Sequence, residues 1–488
     1  MMSVNKYRIK DICDIAGIVN TKCVIYGAGI YGNQVYSFLK LKRLERMIPS
    51  FVVSCKEGNP DSIDGLPVKT LEELREELPE CNIVVAIGIA HIEEVFTLLK
   101  EYKVKGVYYV TKEFMQKVLD EIAEEMRKLP LQQNKIFISC YEGMGYRCNC
   151  KYIAETLIHE DYPVEIVWAV SAGNEEDIPK EIKTVILFTN EYYREFYTSK
   201  ICITNCGTGF FGEKREGQYY INTWHGYGPF KKAQGAVYDD REKLDKIREM
   251  NEKVDLFITG SIFYSQIYRD SFFYKGEIYE SGAPRNDVFF GENNIKNAVY
   301  KKFGISFDKK IVLYAPTFRT DTENSFDKYD LDISAILKAL NTRFNSEYVL
   351  MYRFHHFLYS MKKCRDYYNN GIDATYYPDI QELLVAADIV ITDYSSLMWD
   401  FSLQRKPVFL YQLDKEEYEN DRGFYAPVSE WPYPQAHSQK ELLEVIENFD
   451  HKCYIQKLES FLEKYGSCDD GHASERVVKW IMNKILSS

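Results

Sequence analysis

Apolar residues in this chain fall in short β-branched runs separated by longer stretches of helical spacing, and the alternation recurs in three series. The first series predicts strands over 23–26, 51–53, 82–87 and 106–110. Helical patterns follow at 33–41, from 71, at 92–102 and at 112–128. The second predicts strands over 135–139, 164–170, 184–188, 201–204, 219–223 and 256–260, with a helix at 152–159. The third predicts strands from 310, at 348–352, 389–391 and 407–411, with helices at 333–340, from 379, from 396, at 438–449, at 455–464 and at 474–486. Strands alternating with helices imply parallel sheets, so the expected fold class is α/β with Rossmann-like units. Residues 129–134 are expected to be a linker, and 321–330 a polar, acidic flexible loop. The helix at 112–128 has an acidic outer face and is expected to pack on the next unit.

Composition narrows the function classes. The 488 residues suggest two to four domains with ample core. Lys and Arg number 61 against 73 Asp and Glu, a net charge of −12. That balance argues against sequence-independent nucleic-acid binding, which needs clustered positive charge. Twelve scattered cysteines without a CxxC pair or zinc-finger spacing read as reduced thiols, so a cytoplasmic setting is expected. Residues 1–20 have no apolar signal-peptide core, and no run approaches 18 apolar residues.

Candidate chemistry collects where predicted strands end. Gly27, Gly29 and Gly32 form GxGxxG between a strand and a helix, a dinucleotide-binding pattern. The acidic residue that should end the second strand is missing, since Val53 leads into Ser54, Cys55 and Lys56. A bound nucleotide and a structural or docking role are the two readings. At 388–400, a buried strand, a polar turn and a helix start present Asp393, Ser395 and Ser396. Free N–H groups and hydroxyls there suit a phosphate or pyrophosphate, or simply cap an ordinary turn. His225 ends the strand at 219–223 with Lys231 and Lys232 after it, placed for proton transfer and phosphate attraction, or else as a loop histidine beside solvated lysines. Arg285 lies in the Gly-Ala-Pro-Arg-Asn-Asp loop at 282–287 as an anion binder or a surface ion pair. Arg319 ends a third strand-turn unit. Arg353 and His355 end a fourth, with donors suited to phosphate. Asp379 and Glu382 have capping-box spacing. The Lys-Lys-Cys-Arg tract at 362–365 reads as a solvated helix face.

Taken in order, Thr-Trp-His-Gly at 223–226, Gly-Ala-Pro-Arg-Asn-Asp at 282–287, Tyr-Ala-Pro-Thr-Phe-Arg at 314–319, Arg-Phe-His at 353–355, Thr-Asp-Tyr-Ser-Ser at 392–396 and Arg-Gly-Phe at 422–424 resemble the CDP-glycerol glycerophosphotransferases, the teichoic acid primases and polymerases. Asp470-Gly471 and Ser474-Glu475-Arg476 extend the resemblance, which covers about residues 134–485. It implies a GT-B architecture. An N-terminal Rossmann-like domain (1–130) precedes an acceptor-side domain (134–292) and a CDP-donor domain (293–488) whose last helix crosses back.

The resemblance also implies roles. His225 is the acceptor-side base, and His355 with Arg353 lies near the donor pyrophosphate. Ser395 and Ser396 bind the pyrophosphate, Asp393 fixes their turn and Arg319 contacts phosphate. The implied reaction transfers glycerol phosphate from CDP-glycerol to a hydroxyl of a lipid-linked or polysaccharide acceptor, in teichoic acid or capsule synthesis, with release of CMP. No cofactor is required, and Mg²⁺ acting through the donor pyrophosphate stays open. CDP-ribitol or another CDP-alditol, a nucleotide sugar in a GT-B glycosyltransferase, and a non-catalytic binding role are the competing readings. A peripheral place at the inner face of the membrane is implied, with Lys231, Lys232 and the segment 272–275 as contacts. Tyr227 and Gly228 depart from the family's Trp-His-Gly-Thr-Pro-Leu-Lys pattern, which bears on the acceptor, and His356 replaces a proline.

Overall fold

The computed structural model describes residues 6–292, 294–317, 319, 331–354 and 371–487. Three sheets follow one another along the chain. The first runs, in spatial order, Lys6–Ile9, Gly106–Val110, Asn82–Val85, Cys23–Tyr26, Phe51–Val53, Leu66–Thr70 and Ser62–Ile63, parallel but for the last pair. The edge strand Lys6–Ile9 and the helix Ile12–Val19 are additions to the sequence-based expectation. The helix expected from 71 is absent. Leu71, Leu74 and Leu78 are buried at helical spacing, yet the segment closes as successive turns into a 3-10 turn at Leu78–Glu80, where Pro79 cannot continue an α-helix.

Two of the three GxGxxG glycines are demanded by the fold itself. A Cβ on Gly32 would lie 1.9 Å from the Gly27 carbonyl oxygen. Gly27 has φ +112°, and a Cβ there would lie 2.6 Å from the Ala86 carbonyl oxygen. The helix they open, Ile30–Leu41, is docked on the second unit. Asn33 Nδ2 donates to the Leu187 carbonyl (3.3 Å) and Ser37 Oγ to that of Phe188 (2.7 Å). Helix Lys112–Arg127 packs against Ile30–Leu41 and against Asn190–Thr198 of the second unit. Phe38, Val118 and Ile122 share one apolar core with Phe137, Tyr192 and Phe196. Strand Gln132–Ser139 begins inside the expected linker.

The second sheet is wholly parallel, in the order Lys183–Ile186, Glu165–Val170, Gln132–Ser139, Ser199–Thr204, Tyr219–Asn222, Leu256–Ile258, Glu277–Tyr279. The third, also parallel, runs Ile372–Asp373, Tyr348–Tyr352, Lys310–Tyr314, Ile389–Thr392, Val408–Tyr411, Gln435–Ala436. In both, the first strand lies centrally and the order reverses beside it. Loops diverge at such a switch point and leave a crevice beyond the strand ends.

The last helix, Ala473–Leu486, returns to the second unit. Val477, Val478, Ile481 and Met482 join the core of Ile136 and Trp168. Its start is locked by the loop at 282–287. Asp287 accepts from Ala473 N (3.0 Å) and Ser474 N (2.7 Å), and Arg476 Nε donates to the Ser281 carbonyl (2.9 Å). Among the described residues, no helix is long and apolar enough to cross a membrane.

Candidate functional site

The strand ends of the second and third sheets bound a cleft of about 810 Å³. On the second-sheet side His225 follows strand Tyr219–Asn222, half-buried between the rings of Trp224 and Tyr141. Its Nδ1 lies 2.7 Å from the carbonyl oxygen of Asn205, at the end of the neighbouring strand. A carbonyl can only accept, so Nδ1 carries the proton and Nε2 keeps its lone pair. Burial, then the charges of Arg285 and Lys231, push the pKa of His225 down to about 4 against the upward pull of the Asn205 carbonyl. The imidazole is therefore neutral near pH 7 and able to accept a proton.

The third-sheet side brings the turn at 393–396 against this histidine. A Cβ on Gly226 would lie 3.4 Å from Ser396 Cβ, so the backbone next to His225 and the serine pair are in contact range. Ser395 and Ser396 line the cleft ahead of the short helix Leu397–Ser402. Asp393 is buried behind them. It accepts from Thr317 N (2.9 Å), Tyr394 N (2.6 Å) and the Thr317 hydroxyl, and so fixes the turn instead of facing a ligand.

Two arginines complete the wall. Arg353 ends strand Tyr348–Tyr352, and Arg147 precedes helix Cys148–His159 on the opposite side. Arg353 Nη1 and Arg147 Nε are both enclosed without a hydrogen-bond partner, and neither arginine has an ion pair among the described residues. Burial, with the charge of Arg147 next, pushes the pKa of Arg353 down to about 10. Arg147 escaped sequence reading because no motif contains it. Its signal was positional: it closes the loop after the central strand of the second sheet, where the switch point falls.

Several expected ligand contacts belong to the framework instead. Arg285 forms a two-pronged ion pair with Asp400 (Nε–Oδ2 2.9 Å, Nη2–Oδ1 3.2 Å), 2% exposed, with its guanidinium over Tyr227. Asn286 and Gln381 donate to the same carboxylate, and Asn286 also reaches Asp469 (3.3 Å). Arg319 is held by Asp414 (2.7 Å) and Asp393 (2.9 Å) and stacks on Tyr394 and Tyr418. These guanidiniums are engaged by fixed carboxylates, and Arg285 with Asp400 also lines the cleft.

Tyr227 is fully buried and bonded to the Thr223 carbonyl and Asn149, so the family departure there alters the core and not an acceptor contact. Glu382 binds Lys151 (2.5 Å) instead of closing a capping box, while Asp379 caps its helix and joins Lys151 across the cleft floor. Lys231 and Lys232 do not line this cleft. Lys231 pairs with Phe424 as a β-bridge, and burial with the charges of Arg422 and Arg319 lowers its pKa. In the segment 272–275, Phe272 and Tyr274 are core residues, while Phe273 is half-buried and Lys275 exposed. His355, the acidic loop and the basic tract at 362–365 lie outside the described residues. Among the described residues, no group of three or more His, Cys, Asp or Glu could hold a metal ion.

Comparison with known proteins agrees with this geometry. The family model described as CDP-Glycerol:Poly(glycerophosphate) glycerophosphotransferase matches residues 122–483, well over half of the chain; the first sheet precedes the matched segment. A teichoic acid poly(glycerol phosphate) polymerase of Bacillus spizizenii is 27% identical over 369 residues, 72% of this chain and 93% of that protein. A teichoic acid glycerol-phosphate transferase of Staphylococcus aureus is 28% identical over 374 residues, 73% of this chain and 94% of that protein. A solved structure of the wall teichoic acid polymerase TagF superposes with a TM-score of 0.67 at 24% identity, covering 82% of this chain and 99% of that one. The overlap supports the GT-B-like arrangement of the second and third sheets. The chain belongs to the CDP-glycerol:poly(glycerophosphate) glycerophosphotransferase family, enzymes that transfer glycerol phosphate from CDP-glycerol in teichoic acid synthesis.

Proposed function

We propose that CDP-glycerol lies in this cleft with its pyrophosphate on Ser395, Ser396 and Arg353, and that His225 is the base for the acceptor hydroxyl. The observation that carries the reading is the tautomer of His225: Nδ1–H is tied to Asn205, so the basic Nε2 is the nitrogen left for chemistry. The acceptor oxygen attacks the glycerol-bearing phosphorus, its proton passes to Nε2, the P–O bond of the anhydride breaks and CMP leaves. Arg353 and the two serines offset charge growing on the departing phosphate. His355 is assigned beside that phosphate from its motif. The donor's negative charge also relieves the cationic field on His225, raising its basicity when it is needed. The acceptor is a hydroxyl on a lipid-linked or polysaccharide chain of the cell envelope, and the enzyme works peripherally at the inner membrane face.

The test is turnover of labelled CDP-glycerol with a panel of such acceptors, CDP-ribitol competing, with nucleotide product and chain length both analysed. CMP release that depends on acceptor is expected; release of CDP would refute phosphotransfer. His225→Ala should lower turnover by about 10²–10⁴-fold while donor binding persists. Near-normal CMP release by that variant would sink the base assignment.

A further inference from the structure

Arg147 and Arg353 come from opposite halves of the molecule and line the same cleft, near enough for the charge of Arg147 to act on Arg353. Like charges this close repel, and a buried guanidinium nitrogen without a partner is unfavourable. The enclosed, unpartnered atoms are Nε of Arg147 and Nη1 of Arg353. Among the described residues no carboxylate bonds to either arginine, although Asp379 attracts Arg353 through space. Asp379 is engaged by Lys151 (3.1 Å) and Tyr152 (2.8 Å), Asp400 by Arg285, and the exposed Glu142 pairs with neither. Elsewhere in the molecule buried arginines are matched with fixed anions, as Arg285 and Arg319 show. A pair left unmatched beside a cleft therefore calls for an anion that arrives from solution.

We infer that Arg147 is a donor-phosphate ligand supplied by the acceptor half, so that one phosphate of the nucleotide diphosphate lies between Arg147 and Arg353. This rests on the reading above, in which Arg353 faces the donor pyrophosphate. Arg147 is thus a positioning residue for the known reaction: it ties the donor to the half that carries His225 and holds the reacting phosphorus toward the base. A guanidinium fork also makes the site selective for phosphate over uncharged parts of the donor.

The experiment measures binding of inorganic pyrophosphate, CDP-glycerol and cytidine to the full chain, together with KM and kcat, for wild type, Arg147→Ala and Arg147→Lys. A charge-assisted hydrogen bond of this kind predicts a loss of roughly 10- to 100-fold in pyrophosphate affinity and a matching rise in donor KM for Arg147→Ala. Cytidine binding should be unchanged, and lysine should recover part of the loss because it restores the charge but not the fork. Pyrophosphate and donor affinities within twofold of wild type in Arg147→Ala would overturn the inference. So would an equal loss for cytidine, or a lysine variant no better than alanine, since either outcome marks a packing role. If wild type binds pyrophosphate through Arg147 but ignores CDP-glycerol, the donor reading fails while the anion site stands.

Discussion

The hub beneath the cleft and the cleft wall are built from the same residue types and do opposite things with them. In the hub, Arg285 meets Asp400, and Asn286 and Gln381 crowd the same carboxylate. Arg319 is clasped by Asp393 and Asp414. On the wall, Arg147 and Arg353 have no such anions among the described residues, and the second ring nitrogen of His225 is left for chemistry. A buried charge whose partner is built in is framework, and one whose partner is missing is waiting for a ligand. Sequence motifs do not distinguish the two. Arg285 and Arg353 both sit in family motifs, and only the carboxylate 115 residues away separates their roles.

The sharpest way to break the comparison is to unmatch the hub. Asp400→Ala would leave the Arg285 guanidinium buried without its anion, and removing one partner of such a pair costs about 3–5 kcal/mol. Urea unfolding should show that loss, with a lowered midpoint, whether or not nucleotide is present. A midpoint within error of wild type would mean that water or another group satisfies Arg285, and the hub would lose its claim to be framework.

The converse holds at the wall. Arg353→Ala should leave the unfolding midpoint unchanged or raised, since it removes a charge that burial and Arg147 already disfavour. Its turnover with CDP-glycerol should fall by roughly 10²–10³-fold, the usual effect of removing one donor that stabilises transition-state charge. A variant that unfolds easily yet turns over normally would exchange the two regions' roles.

The sheets were legible because their central strands are β-branched runs bounded by turn residues, and each lies within a few residues of its expected place. Strand Lys6–Ile9 was missed because half its residues are charged or polar, as suits an edge. Helix Asn190–Thr198 was missed because its Asn, Tyr and Phe content hides the helical spacing. His225, Ser395 and Ser396 line the cleft at the strand ends where motif order puts them. The engagement of Arg285 and Arg319 was not legible, because pairing over long sequence distances leaves no local trace. Arg147 illustrates the reverse, a cleft-lining residue outside every motif and readable only from where the sheet order reverses.

The smallest effect probes how completely the hub is matched. It holds one carboxylate in excess: Asp469 accepts from Ala283 N (2.8 Å) and Asn286 through Oδ1, while its enclosed Oδ2 has no partner. Burial, with Asp400 nearby, pushes its pKa up to about 7. A carboxyl whose folded pKa lies above its unfolded one stabilises the fold when protonated. That contribution is whole below about pH 4 and is lost as pH rises toward 7. Stability should therefore decline over this window at up to about 1.4 kcal/mol per pH unit from this group, and level off above it. Asp469→Asn cannot ionise and keeps an acceptor for Ala283 N. Its stability relative to wild type should rise between pH 5 and pH 8, as read from urea midpoints at the two pH values. The same difference at both would mean that Asp469 is already ionised at pH 5 and that the hub holds a matched anion there, which would extend the rule of built-in partners to every carboxylate beneath the cleft.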